Sequence, residues 1–297
     1  MPARHVTDGG LETDLIFLRG FDLPEFASFP LLDTDEGRAA LRDYYLAYAD
    51  IAVRAGAPLL LEAPTWRANP DHAALLGYDA AALDRVNRES VAFLSAVAAE
   101  RADELVGWEV GGMLGPRGDG YASAGPVDPD AAADYHRPQL ASFAAAGAGR
   151  ATVLTLTEVG EAIGVSRAAA DVGLPAAIGF TVETDGRLPD GTSLASAIEQ
   201  VDAAAPPAYF LVNCAHPTHV LRGLDDGPWR ERVGGLRVNA STMSHAELDE
   251  AETLDDGDPV QLAVDQQPLL DAFVNLEVLG GCCGTDARHV AAMWGVS

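Results

Sequence analysis

The sequence predicts an α/β fold, a single (β/α)8 TIM barrel, on three observations. Eight short apolar runs alternate with longer segments of helical period, as a parallel sheet with crossover helices requires. The length of 297 residues falls within the range of one such barrel. No linker-like stretch and no internal repeat divides the chain, so residues 1–297 read as one domain.

The strand expectations fall near 5–8, 58–63, 104–109, 151–157, 175–181, 208–213, 233–239 and 276–280. The clearest helical segments between them are 33–55, 79–102, 130–146 and 192–205. Asp33 followed by Glu36 resembles a capping box, and Gly56 stands where a helix C-terminus favours glycine. Two connections are too long for simple turns, 9–33 after the first strand and 110–129 after the third. Both belong at the C-terminal mouth of a barrel, where loops build active sites, and each reads equally as a lid or as a plain surface excursion.

Composition excludes several classes. The formal net charge is −26, from 19 basic and 45 acidic residues, which argues against nucleic acid or an anionic membrane as partner. All the basic residues are arginine. Schiff-base aldolases, pyridoxal-phosphate enzymes and Walker-type nucleotide sites need a lysine amine and are thereby excluded. The N-terminal segment has no apolar core of a secretory signal, and no apolar run approaches the roughly 20 residues of a membrane span, so a cytoplasmic protein is expected. The oligomeric state is not readable.

The three cysteines carry the chemistry. Cys214 ends the sixth strand, and Cys282 with Cys283 follows the eighth. The separation of 68 residues from Cys214 to Cys282 is two βα units of about 34, and alternate strands of such a barrel point their side chains at common layers. Adjacent residues on a regular strand face opposite sides, so both members of the pair reach one point only if Gly280, Gly281 and Gly284 bend the backbone. Inert buried thiols or a strained vicinal disulfide remain alternatives for the pair. Three thiolates without a fourth protein ligand fit a catalytic zinc with an open position, which an incoming thiol could fill as a thiolate.

Asp8-Gly9-Gly10, Val212-Asn213-Cys214-Ala215-His216-Pro217 and Gly280-Gly281-Cys282-Cys283-Gly284-Thr285-Asp286 resemble the signatures of the homocysteine S-methyltransferase family. Tyr135-His136-Arg137-Pro138-Gln139 and Phe180-Thr181-Val182-Glu183-Thr184 extend the resemblance over nearly the whole chain. It implies a homocysteine-binding barrel that holds Zn2+ through Cys214, Cys282 and Cys283. It also implies methylation of homocysteine to methionine, with a sulfonium (S-methylmethionine or S-adenosylmethionine) or similar onium compound as donor. The partners would then be these small molecules. The resemblance places a substrate-binding carboxylate at Glu158 and offers the Asp8-Gly9-Gly10 turn to the amino-acid carboxylate; a helix-capping acid is the other reading of Glu158. Asn213 and Asn239 close strands six and seven, as substrate-orienting residues or as strand-end turns. His216 and His219 read as helix-start residues, and Trp66 and Trp108 as core or as the lining of a donor pocket.

The chain departs from the family's usual pattern at Leu61-Glu62-Ala63-Pro64-Thr65-Trp66, which is not Thr-rich, and at Arg237-Val238-Asn239, which lacks a proline before the asparagine. Both lie at the mouth and bear on the substrate rather than the metal. Two other functions stay open: methyl transfer to another thiol or selenol, and a hydrolase or lyase built on Glu62, Glu158 and Glu183 with structural cysteines.

Overall fold

The computed structural model describes residues 4–296. Eight strands form the sheet: β1 (His5–Val6), β2 (Leu59–Glu62), β3 (Trp108–Leu114), β4 (Arg150–Leu156), β5 (Ala176–Phe180), β6 (Tyr209–Asn213), β7 (Val233–Val238) and β8 (Val278–Gly281). They pair in parallel in chain order, and β1 closes the ring by pairing with both β2 and β8. This is the expected (β/α)8 barrel. β2, β5, β6, β7 and β8 are buried at every position, which is why they read as continuous apolar runs without alternation.

The helix Asp35–Ala55 starts at Thr34, whose side chain accepts from the Gly37 amide at 3.0 Å, so the Asp33–Glu36 capping box is corrected. Asp33 instead serves the surface, pairing with Arg85 at 2.8 Å and accepting from Tyr78 at 2.6 Å. Gly56 ends the helix in the left-handed conformation, at φ 60°. The helix buries Tyr44, Tyr45 and Tyr48 against the barrel. Among the described residues no helix is long and apolar enough to cross a membrane.

The third strand lies further along than the sequence indicates. Residues 100–106 are turn and bend, and the strand instead runs through the Gly111-Gly112 pair. Glycine weakens a strand unless something needs the space. Here a Cβ on Gly112 would sit 2.3 Å from the Phe143 ring, and one on Gly111 would sit 2.8 Å from Glu62 Oε2. Helix Pro129–Ala146 therefore packs on the bare backbone of β3. Gly112→Ala is expected to cost at least about 1–3 kcal/mol, the usual range for overpacking, read as a lowered denaturation midpoint.

The connection 9–33 is largely helical. It contains helical turns over Leu11–Thr13, Asp14–Leu18, Pro24–Phe26 and Phe29–Asp33. The irregular connection after β3 shortens to 115–128, and it crosses the mouth of the barrel.

Candidate metal centre

Cys214 follows β6 with a left-handed backbone (φ 56°), as does Thr155 on β4 (φ 67°). Such a conformation is an outlier for a β-branched residue and persists only where neighbours hold it. Asn213 is that neighbour. Its Oδ1 accepts from the Thr155 amide and its Nδ2 donates to Thr155 Oγ1, both at 2.9 Å. The bulge in β4 between Val153 and Leu156 is thus clamped to the end of β6. Asn213 is therefore a brace inside the barrel, outside the lining of the cleft.

In and after β8, only Gly284 of the three glycines has positive φ, at 77°. Gly280 and Gly281 are required for close approach instead. A Cβ on Gly280 would lie 2.6 Å from the Asp8 carbonyl, and one on Gly281 would lie 2.0 Å from Thr285 Oγ1. The Cys282 amide donates to the Val238 carbonyl at 2.8 Å, and the Cys283 carbonyl accepts from the Ala240 amide at 3.2 Å. The pair leaves strand geometry at that point and turns both thiols inward.

The result is one cluster. The Sγ atoms of Cys214, Cys282 and Cys283 all lie within 4.8 Å of one another, with Cys214 and Cys283 3.6 Å apart. All three cysteines are free thiols. A tetrahedral zinc with bonds of about 2.3 Å separates its sulfurs by about 3.8 Å, so spacing and donor softness both fit that ion. Packed this close in a buried site, the thiols do not ionise independently. Hydrogen bonds from Cys214 and Cys283 hold Cys282 well below the ordinary thiol range, while the bond to Cys282 pushes Cys214 well above it.

Tyr121, on the 115–128 connection, has its hydroxyl 3.4 Å from Cys214 Sγ and 3.5 Å from Cys283 Sγ. Its ring stacks on His245, with centroids 4.3 Å apart and planes 12° from parallel. His245 is fixed in turn by Glu183 Oε1 and by the Cys214 carbonyl, each at 2.8 Å. Neither Tyr121 nor His245 carries a periodic signal, so the sequence does not mark them.

The cluster opens into a cleft of about 400 Å³ at the barrel mouth, lined also by Asp8, Gly9, Gly10, Glu12, Trp66, Arg67, Asp119, Tyr121 and Arg237. Asp8 is fully buried and pairs with Arg237, which also donates from Nε to the Gly281 carbonyl at 3.0 Å. Gly9 and Gly10 are packed against Tyr48, Thr285 and the Cys282 carbonyl, and the Gly10 amide already donates to the Thr285 carbonyl at 3.0 Å. Asp8 thus fastens β1 to β7 and β8 beneath the cleft.

Glu158 caps helix Val159–Asp171, accepting from the amides of Gly160 (2.7 Å), Glu161 and Val127 (3.4 Å). It does not line the cleft, and neither does Asn239, whose amide donates to the Ala215 carbonyl. His216 caps the next helix and His219 bonds the Thr242 carbonyl, so both stay outside the thiol cluster. Trp108 begins β3 and is 40% exposed at the far end of the barrel, away from the mouth. Trp66 does line the cleft, but one of its faces carries the Arg67 guanidinium, 4.1 Å from the ring centroid.

The three carboxylates of the hydrolase reading are not assembled. Glu183 holds His245, Glu158 caps a helix, and Glu62 lies inside the barrel accepting from Thr152 at 2.7 Å; none lines the cleft. Burial pushes the Glu62 carboxyl from 4.5 up to about 7, against the opposing charge of Arg237. The folded protein therefore keeps a proton there that the unfolded chain releases, and stability falls as pH rises through that window. Glu62→Gln is expected to flatten this slope, worth roughly 3 kcal/mol, raising the denaturation midpoint at pH 8 and changing little at pH 4.

Residues 5–295 match the family described as homocysteine S-methyltransferase. No curated protein matches the sequence. Among solved structures, the homocysteine methyltransferase MmuM from Escherichia coli in its metallated form aligns with a TM-score of 0.76 at 21% identity, covering 99% of this chain and 96% of that one. Its oxidized form gives 0.75 at 22% identity, over 98% and 95% of the two chains. Its apo form gives 0.70 at 20%, over 99% and 96%. At these identities the likeness speaks to the fold, and it agrees with the closed eight-stranded barrel. With its sequence match running from β1 to beyond the last helix, the chain belongs to the homocysteine S-methyltransferase family of enzymes.

Proposed function

We propose that the protein transfers a methyl group from a sulfonium donor, S-methylmethionine or S-adenosylmethionine, to the thiol of homocysteine, giving methionine, with zinc held by Cys214, Cys282 and Cys283. The observation that carries this reading is the convergence of three thiols within 4.8 Å at the floor of an open cleft. When bound, zinc supplies the charge that keeps a substrate thiol ionised at neutral pH.

The chain's own residues supply position and field. Asn213 and the glycines of β8 set the three thiols. Asp119, Asp249 and Asp255 line the cleft and give it an acidic wall that favours a positively charged donor. The cleft brings two small molecules together, which lowers the entropic part of the barrier to displacement. Asp8, Gly9 and Gly10 shape the floor beside the thiols, while Glu158, Asn213 and Asn239 act on the scaffold rather than on substrate. Free thiols suit a reducing compartment, and we assign the protein to the cytoplasm.

The test is zinc analysis of protein purified without chelator, together with an assay of homocysteine against S-methylmethionine, S-adenosylmethionine and betaine, with product followed by mass. Zinc in the protein and methionine formed from a sulfonium are expected. Protein that holds no zinc, gains none, and forms no methionine from any donor would remove the reading.

A further inference from the structure

Arg67 stands in the wall of the same cleft as the three thiols. Other arginines of the protein have carboxylate partners: Arg237 pairs with Asp8, and Arg117 with Asp71. Arg67 makes no salt bridge among the described residues. Its Nη1 donates to the Gly118 carbonyl at 2.9 Å, and its Nε is buried without any hydrogen-bond partner. Asp119 and Glu12 act on it through their charge, without a hydrogen bond to it.

A half-buried guanidinium is costly to leave unpaired, because it has lost part of its hydration without gaining an acceptor. This one is also held in place. Its plane lies over Trp66, whose own Nε1 is tied to the Leu154 carbonyl at 3.3 Å. Gly115 and Gly120 press against the same indole, since a Cβ there would come within 2.5 Å and 3.2 Å of it. A cation fixed between an aromatic face and a backbone carbonyl loses little freedom on binding. Its planar fork matches the two oxygens of a carboxylate bidentately, as it does a phosphate, and of the two only a carboxylate is carried by an amino acid.

We propose that Arg67, laid on Trp66 in the cleft wall, receives the α-carboxylate of an amino-acid substrate and selects substrates that carry one. The inference rests on the reading of the cleft as the place where an amino acid meets the thiols. Homocysteine and S-methylmethionine both bear the required group, so the chemistry is shared by acceptor and donor. It assigns to a cleft arginine the role that the family resemblance implies for the Asp8-Gly9-Gly10 turn, whose Gly10 amide is already engaged.

Two pairs of probes separate the sources. The acceptor pair is homocysteine and 3-aminopropane-1-thiol; the donor pair is S-methylmethionine and (3-aminopropyl)dimethylsulfonium. Binding to the zinc-loaded full-length protein is measured by calorimetry, independent of turnover. The wild-type protein is expected to prefer the carboxylate-bearing member of one pair. Arg67→Gln should weaken that member roughly 10–100-fold, the scale of a charge-assisted bond, and leave its decarboxylated counterpart unchanged. Arg67→Lys, which keeps charge but loses the fork, should fall between. The pair that responds identifies the substrate.

If wild type shows no preference in either pair, the proposal is overturned. It is also overturned if Arg67→Gln weakens both members of a pair equally, as a residue that merely pins the 115–128 connection would. Preference without methyl transfer would leave the anchor standing and remove the proposed reaction. Methyl transfer at equal efficiency with and without the carboxylate would do the reverse.

Discussion

Cys214→Ser is expected to strip most of the zinc from the protein and to lower methyl transfer to homocysteine in proportion. Structural zinc sites bind with roughly 10–16 kcal/mol, so one ligand in four accounts for about 3 kcal/mol, or 10²–10³-fold in affinity. A serine hydroxyl is a poor substitute, being harder than sulfur and un-ionised at neutral pH. The backbone at Cys214 would be kept, because the Asn213–Thr155 clasp does not involve its side chain. The variant should therefore fold, with a far-ultraviolet spectrum like that of wild type. Metal content after dialysis against a mild chelator gives the primary readout, with methionine formation as the second. Retention of zinc and of full activity in both Cys214→Ser and Cys283→Ser would show that the thiol cluster is not the metal centre.

Asp8→Ala should produce the largest loss of stability. It leaves Arg237, only 3% exposed, without its counter-charge inside the barrel. Breaking a buried pair on one side costs about 3–5 kcal/mol, while replacing both partners by apolar groups is often neutral. In a chain of this size that corresponds to a fall of roughly 10 °C in Tm. The double variant Asp8→Ala/Arg237→Met is expected to recover most of the loss. A double variant no more stable than Asp8→Ala alone would mean that the contacts of Arg237 with the Gly9 and Gly281 carbonyls matter more than its charge pairing.

The barrel and the thiol cluster are legible in the sequence because both depend on spacing. Continuous apolar runs mark strands buried on both faces, and cysteines at the ends of β6 and β8 meet because alternate strands share a layer. What is not legible depends on partners that spacing does not specify. Gly111 and Gly112 look like loop until Phe143 and Glu62 are seen to occupy the space of their missing side chains. Glu158 carries the same local pattern whether it caps a helix or meets a substrate, and in the fold its carboxylate accepts from the amides of Gly160, Glu161 and Val127. Tyr121 and Arg67 sit on irregular segments and His245 opens a five-residue helix, all placed by tertiary packing, and the sequence marks none of them. Asn213 reads as a strand-end polar residue, but its partner Thr155 is two strands away and 58 positions earlier.

That last pairing bears on how portable the centre is. A designer who copied the Asn-Cys and Gly-Gly-Cys-Cys-Gly segments onto another eight-stranded scaffold would transplant the ligands without the β4 residue that clasps Asn213 beside Cys214. The clasp reaches into the bulge of β4, so the smallest transferable unit spans three strand ends. A graft lacking the β4 bulge would leave the asparagine before its third thiol without the clasp, however faithful its cysteine spacing.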